Sequence, residues 1–245
     1  MRTDELRQLA EAEESYWWHR GRQRIVRRVL TRYVAPSSRI LHVGCGPGGT
    51  TKSYSGANHV LGVDASDEST RIARGRGLEV ALMDATHLAT RSQAWDAIVA
   101  LDLIEHVDDD VAALREMREA LRPGGTLVAT VPAYQFLWSS HDEAVGHRRR
   151  YTKPQLLRAA HEAGLEVVLG AYVMSSILPL AMAIRLAERL RPRRGEPAAS
   201  FTRVPRLVNA VLERVVALGP EPLPHIPMPF GLSIVLVARR VPEHD

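Results

Sequence analysis

Apolar positions along the chain change their period, and the changes mark out the elements. Residues 4–14 and 20–34 carry helical spacing, and in the second stretch Ile25, Val26, Val29 and Leu30 fall on one face. From residue 37 the pattern shifts to short continuous apolar runs. Segments 37–46, 59–66, 78–86, 94–107 (centred on 98–101) and 126–132 each predict a strand, because an unbroken apolar run suits a strand covered on both faces. Between them, residues 66–77 predict a helix opened by Ser66 and closed by glycine. Residues 108–125 predict another, with acids in its first turn and a Pro-Gly-Gly stop. A loop follows to about residue 152, then a helix over 153–163 and two last strands, 164–173 and 229–240. Strands alternating with helices predict an α/β fold with a parallel sheet wound on both faces.

Residues 174–228 interrupt that alternation. They hold an apolar segment (177–190), a basic, proline-containing linker (191–203) and a helix over 203–219. In the last, Val204, Leu207, Val208, Val211, Leu212, Val215 and Val216 keep one apolar face. The expected organisation is an N-terminal helical lid (1–35), a core (36–173 with 229–240) and a helical insertion (174–228). The insertion is open to three uses: a roof over the acceptor pocket, a homodimer face, or peripheral membrane contact.

Composition narrows the class. The chain has 245 residues, 45% hydrophobic and 24% charged, as in a globular protein. Its one cysteine, Cys45, excludes a disulfide framework and a Cys-rich zinc site. No apolar run has the ~18–20 residues of a membrane span, and the charged opening lacks the apolar run of a signal peptide. The expected location is therefore cytoplasmic. A net charge of +4 raises the question of a nucleic-acid partner, but acids interleave with the arginines along most helices. Basic runs occur only at 148–150 and 191–194, too few for a phosphate track. No nucleic-acid partner is expected.

The first strand runs into Gly44-Cys45-Gly46-Pro47-Gly48-Gly49, where glycine permits positive φ and close approach of backbone to a ligand. Gly44, Gly46 and Gly49 fit the dinucleotide fingerprint; Gly44, Gly46 and Gly48 fit the GxGxG of S-adenosylmethionine (SAM) enzymes. Asp64 ends the second strand, where a carboxylate can accept bonds from both ribose hydroxyls. Loop and acid together point to a nucleoside cofactor without choosing between NAD(P) and SAM.

The choice comes from MDAT (83–86), ALDLIEHVDD (100–109) and LRPGGTLVATVP (121–132). With these the sequence resembles the class I SAM-dependent methyltransferases over about residues 16–173. The resemblance implies a Rossmann-like, seven-stranded, mostly parallel sheet with helices on both faces and an antiparallel last strand. It also implies SAM as cofactor, with Gly44, Cys45, Gly46 and Gly48 around the methionine portion, Asp64 and Ala65 at the ribose, Asp84 and Ala85 at the adenine, and Leu101 near the methionine end. ESYWWHRGRQRIVRRVL (14–30) is similar to the cofactor-covering helix of a methyltransferase type 11/12-like subgroup, which makes Tyr16, Trp18 and Arg22 lid candidates. One position departs from the family: its usual acid two residues before Gly44 is here His42, and Asp102 or Glu105 is expected to compensate.

Methyl transfer needs alignment, exclusion of water and, for some acceptors, a base. Candidates lie between the fifth strand and the next helix: His141, Asp142 and His147 as catalytic groups, with Tyr134, Arg149, Arg150 and Tyr151 binding a small-molecule acceptor. No metal site is expected, because no fourth ligand is spaced near the His/Asp group. The competing readings are an NAD(P)-dependent oxidoreductase, whose Tyr-x-x-x-Lys pair Lys52 and Lys153 are wrongly placed to supply, and a non-catalytic SAM-binding scaffold.

Overall fold

The computed structural model describes residues 3–190, 204–218 and 228–242. Helices α1 (Thr3–Ser15) and α2 (Trp17–Tyr33) lead into strand β1 (Arg39–Val43). There follow α3 (Gly49–Ser55), β2 (His59–Asp64), α4 (Asp67–Gly75), β3 (Glu79–Leu82), β4 (Trp95–Leu101), α5 (Asp110–Ala120) and β5 (Leu121–Pro132). The chain closes with α6 (Ser140–Val145), α7 (Lys153–Glu162), β6 (Leu165–Val173), α8 (Leu178–Leu190), α9 (Arg206–Leu218) and β7 (Ser233–Arg240).

The strands form one seven-stranded sheet in the order β3-β2-β1-β4-β5-β7-β6. Pairings among β1 to β5 are parallel, and β7 runs antiparallel between β5 and β6. The fold class is the one the resemblance implied. Alternation along β4 explains the two cores. Ile98 and Ala100 face Leu114 and Met117 of α5 and Leu156 of α7; Ala97 and Val99 face Ile25, Val26, Val29 and Leu30 of α2. A strand buried on both faces reads as an unbroken apolar run for this reason.

Ser66 caps α4 by accepting the Ser69 N–H, as its position predicts. Two helices escape the sequence reading. GTTKSYS (α3) and SHDEAV (α6) are short and polar, and their caps rather than any apolar stripe hold them: Gly48 in the left-handed region before α3, and a Ser139–Asp142 capping box at α6.

The insertion docks on the N-terminal helices. A side chain at Gly21 of α2 would collide with Val216 of α9, so glycine permits the two helices to close. Buried Glu213 pairs with Arg20 (3.0 Å) and Arg24 (2.6 Å), and Asn209 Oδ1 accepts the Trp17 N–H (2.9 Å). Only part of the α9 apolar face is covered: Leu207, Val208 and Val211 stay exposed, as do Leu180, Met182, Ile184 and Leu186 of α8. Among the described residues, no helix is long and apolar enough to cross a membrane. The basic linker 191–203 lies outside the described residues.

Candidate active site

The carboxyl ends of β1, β2 and β4 open onto a cavity of about 800 Å³, the position at which parallel sheets bind ligands. Its first wall is the glycine loop. Gly44 (φ 70°) and Gly46 (φ 56°) take left-handed backbone that other residues adopt with strain. A Cβ on Gly44 would lie 2.8 Å from the Leu103 side chain, whereas one on Gly46 would meet nothing within 4 Å, so the peptide there is bare toward the cavity. Asp64 fixes the loop: its carboxylate accepts the Gly46 N–H (2.8 Å) and the Ser66 N–H (2.9 Å). Each oxygen can accept a second bond, so the ribose role expected of Asp64 remains available.

The lid meets this loop through a residue the sequence reading missed. Glu13 of α1 is buried, accepts the Gly49 N–H (3.0 Å) and pairs with Arg76 (2.7 Å), whose guanidinium also donates to the Pro47 carbonyl (2.7 Å). Nothing local distinguishes it from the other acids of α1. Tyr16, Trp18 and Arg22 line the cavity, as do Cys45, Ala65 and Leu101. Burial, with Asp64 and Glu13 nearby, pushes the Cys45 thiol up to about 12, so it stays protonated and is no nucleophile.

His42 stands at the floor. Its Nδ1 faces Thr51 Oγ1 (2.7 Å) and the Tyr54 hydroxyl (2.8 Å), and its Nε2 has no partner among the described residues. Burial and then Arg22 lower its pKa to about 3, which keeps the ring neutral. The nearby acid is Asp102, which pairs with Arg22 and accepts the Thr130 hydroxyl (2.9 Å). Arg22 is thus engaged by a protein carboxylate, while its buried Nε has no partner among the described residues. A bare peptide cradle, the open acceptor capacity of Asp64 and orphaned polar atoms on His42 and Arg22 together suit a ligand with ribose hydroxyls and an amino-acid portion, such as SAM.

The opposite wall is made by side chains. The first turn of α6 turns Asp142 inward, where the Ser139 N–H donates to it (2.9 Å). Asp142 is fully buried, faces His147 Nδ1 (2.8 Å) and receives two bonds from Arg150 (2.8 and 3.1 Å). Burial alone would raise its pKa; the bonds from His147 and Arg150 hold its carboxyl well below the usual range. Asp142 therefore does not line the cavity but orients His147, which does. His141 lines the same end, and burial lowers its pKa. Glu105, His106 and Arg185 line it too. Glu105 and His106 sit in a short 3₁₀ turn after β4, a polar pair in an otherwise apolar stretch that was the one local signal for them.

Several expected residues lie elsewhere. Tyr134 stacks between Phe136 and Tyr172, with ring centroids 5.1 and 5.2 Å away. Arg149 donates to the Val107 and Asp108 carbonyls (3.1 and 2.7 Å), and the Tyr151 hydroxyl donates to Asp110 (2.7 Å). All three tie the loop to the body of the domain and are absent from the cavity lining, Tyr134 through its ring stack and Arg149 and Tyr151 through local acids and carbonyls. Arg150 lines the cavity, but its guanidinium is held by Asp142. Gly48 caps α3 rather than lining the cavity. Asp84 and Ala85 also lie outside the lining; Asp84 closes a turn by accepting the Thr86 N–H (2.8 Å) and hydroxyl (2.7 Å).

Comparison with known proteins agrees with this geometry. A probable tRNA methyltransferase 9B of Mus musculus is 33% identical over 125 residues, 50% of this chain and 26% of that protein. A ubiquinone biosynthesis O-methyltransferase of Xanthomonas campestris is 32% identical over 108 residues, 40% of this chain and 45% of that protein. The matches thus span less than half the length of these curated relatives. Phosphoethanolamine N-methyltransferase 2 of Haemonchus contortus, solved in complex with S-adenosyl-L-methionine, shares the fold. Its TM-score is 0.60 at 17% identity, covering 88% of this chain and 52% of that one. Residues 17–169, more than half of the chain, match the methyltransferase-domain family Methyltransf_23. The nicotinamide and scaffold readings of the glycine loop give way to that match. The chain belongs to this family of methyltransferase domains.

Proposed function

We propose that the chain transfers the SAM methyl group to an oxygen or nitrogen of a small-molecule acceptor, such as a natural-product intermediate or a lipid-linked metabolite, held against His141 and His147. One observation carries the reading: a single cavity joins the glycine loop at one end to these two imidazoles at the other. Bound at the loop, SAM supplies an activated methyl carbon. Gly44, Gly46 and Asp64 hold it, the lid of α1 and α2 excludes water, and Leu101 and Asp102 at the end of β4 border the space where the two reactants meet. His141, its pKa lowered by burial, keeps a lone pair at neutral pH and takes the proton the acceptor loses. His147, fixed by Asp142, orients the acceptor.

The tRNA methyltransferase relatives raise a nucleic-acid acceptor as the other reading. The basic run at 148–150 argues against it, since Arg148 pairs with Asp108 (2.7 Å), Arg149 with Asp110 (3.4 Å) and Arg150 with Asp142 (2.8 Å). A run neutralised by the protein's own acids attracts phosphate weakly. The test is incubation of the protein with deuteriomethyl SAM and two fractions of an extract, small molecules and RNA, read by mass spectrometry. Label in a small molecule is the expected result; label confined to RNA overturns the proposal.

A further inference from the structure

Glu105 is fully buried, and among the described residues neither of its carboxyl oxygens has a hydrogen-bond partner. The arginines nearby are taken: Arg22 pairs with Asp102 and Arg150 with Asp142. A buried carboxylate without a partner is costly, so a proton or a bound cation is expected to meet it.

Its neighbours are His106 and His147. His147 Nδ1 faces Asp142 Oδ1 at 2.8 Å, and His106 Nδ1 faces the Gly146 carbonyl at 3.2 Å. An ionised carboxylate and a carbonyl only accept, so each ring carries its proton on Nδ1 and presents a lone pair at Nε2. His147 Nε2 lies 3.7 Å from Glu105 Oε1, and one ligand atom from each of the three residues lies within 4.8 Å of the others. Three acceptors turned on one another repel unless a cation or a proton joins them.

We propose that Glu105, His106 and His147 hold a divalent first-row metal ion at the acceptor end of the cavity, with Asp142 as the positioning residue of His147. Two imidazoles and one carboxylate suit Zn²⁺, Co²⁺, Fe²⁺ or Mn²⁺. Ligand atoms ~2.0–2.2 Å from one ion stand roughly 3–3.6 Å apart, so the trio needs to close by up to about 1.2–1.8 Å. A buried carboxylate on the far nitrogen of a ligating histidine is the usual way such a ring is held. All three residues line the cavity, so the ion's remaining positions face the space assigned to the acceptor. An acceptor oxygen bound there would lose its proton more readily. That last step rests on the function proposed above; the metal site does not.

The test uses the full chain, stripped with chelator and titrated with Co²⁺ alone, read by visible absorption and calorimetry. One equivalent is expected to bind. Glu105→Gln, nearly isosteric, and His147→Ala are expected to weaken Co²⁺ about tenfold or more, and Asp142→Asn about 10–100-fold. His161→Ala, at an exposed imidazole of α7, should bind as the parent does. Circular dichroism checks that each variant is folded; where Asp142→Asn is not, Glu105→Gln and His106→Ala carry the test. Absence of saturable Co²⁺ binding, or unchanged binding by Glu105→Gln, overturns the proposal. The labelling experiment keeps the two readings separate. Protein that binds Co²⁺ through this trio but labels only RNA retains the metal site and loses the small-molecule acceptor. Protein that labels a small molecule equally well after stripping, and binds no Co²⁺, loses the metal site and retains the acceptor.

Discussion

The two ends of the cavity are built from different materials. At the cofactor end the chain offers backbone: peptides of the glycine loop, held open by the left-handed Gly44, Gly46 and Gly48 and pinned by Asp64. At the acceptor end it offers side chains: Glu105 and His106 after β4, His141 on α6, and His147 beyond it. A backbone site can be written in a handful of adjacent residues. A side-chain site is assembled by folding, here from segments 42 residues apart in the chain (105 to 147). The first end therefore suits a cofactor common to a family, and the second is free to change with the acceptor.

The largest expected effect would break the acceptor end alone. If His141 accepts the proton, His141→Ala should lower kcat by about 10²–10⁴-fold with SAM affinity unchanged. Isothermal titration with SAM and a turnover assay on the same preparation check this. A loss of SAM binding in that variant would erase the division between the two ends.

Arg150→Ala tests whether the acceptor wall is scaffold before it is site. The guanidinium is the cation paired with buried Asp142, and removing one partner of a buried pair leaves the other uncompensated. A stability loss of roughly 3 kcal/mol is expected by denaturant unfolding. An unchanged midpoint with a raised KM for the acceptor would instead make Arg150 an anion clamp.

At the cofactor end, Asp64→Ala should weaken SAM binding by about 1–3 kcal/mol, the cost of leaving polar partners unpaired. Two sources contribute: lost ribose contacts and a glycine loop released from its Gly46 anchor. Asp64→Asn separates them, since its amide oxygen can still accept the Gly46 N–H. Affinity restored by asparagine would locate the effect in the loop.

The same contrast explains what the sequence made legible. Strands β1, β4 and β5 announce themselves because burial on both faces leaves short, mainly apolar runs such as 97–101 and 127–129, and Gly44, Gly46 and Asp64 announce the cofactor because their spacing is local. Short polar helices α3 and α6 carry no such pattern, and Glu13 gains meaning only from Gly49 and Arg76, 36 and 63 residues away. In the acceptor loop the residue types are legible in the sequence, but the directions of several side chains are not. A run of three arginines looks like an anion clamp in one dimension; Asp108, Asp110 and Asp142 claim it in three.

His42 gives the smallest and most discriminating test, because it belongs to the cofactor end yet departs from the family there. Its pKa is lowered to about 3, so the unfolded chain binds a proton near pH 6.5 that the folded chain refuses. Stability from this group is complete above pH 6.5 and declines as pH falls from 6.5 toward 3, by about 1.4 kcal/mol per unit. His42→Asp removes that decline and places a carboxylate against the Thr51 and Tyr54 hydroxyls, both able to donate to it. The variant should therefore lose less stability than the parent between pH 6.5 and pH 5 (guanidinium unfolding at each pH), while buried His19, also lowered to about 3, keeps some acid sensitivity in both. At neutral pH its SAM affinity should equal or exceed that of the parent, because an acid at this floor position can receive the cofactor's amino group and a neutral ring whose Nδ1 is already engaged cannot do so as well. A clear fall in SAM affinity would mean that the orphaned Nε2 of His42 makes a contact a carboxylate cannot replace, and the cofactor end would then be as particular to this chain as the acceptor end.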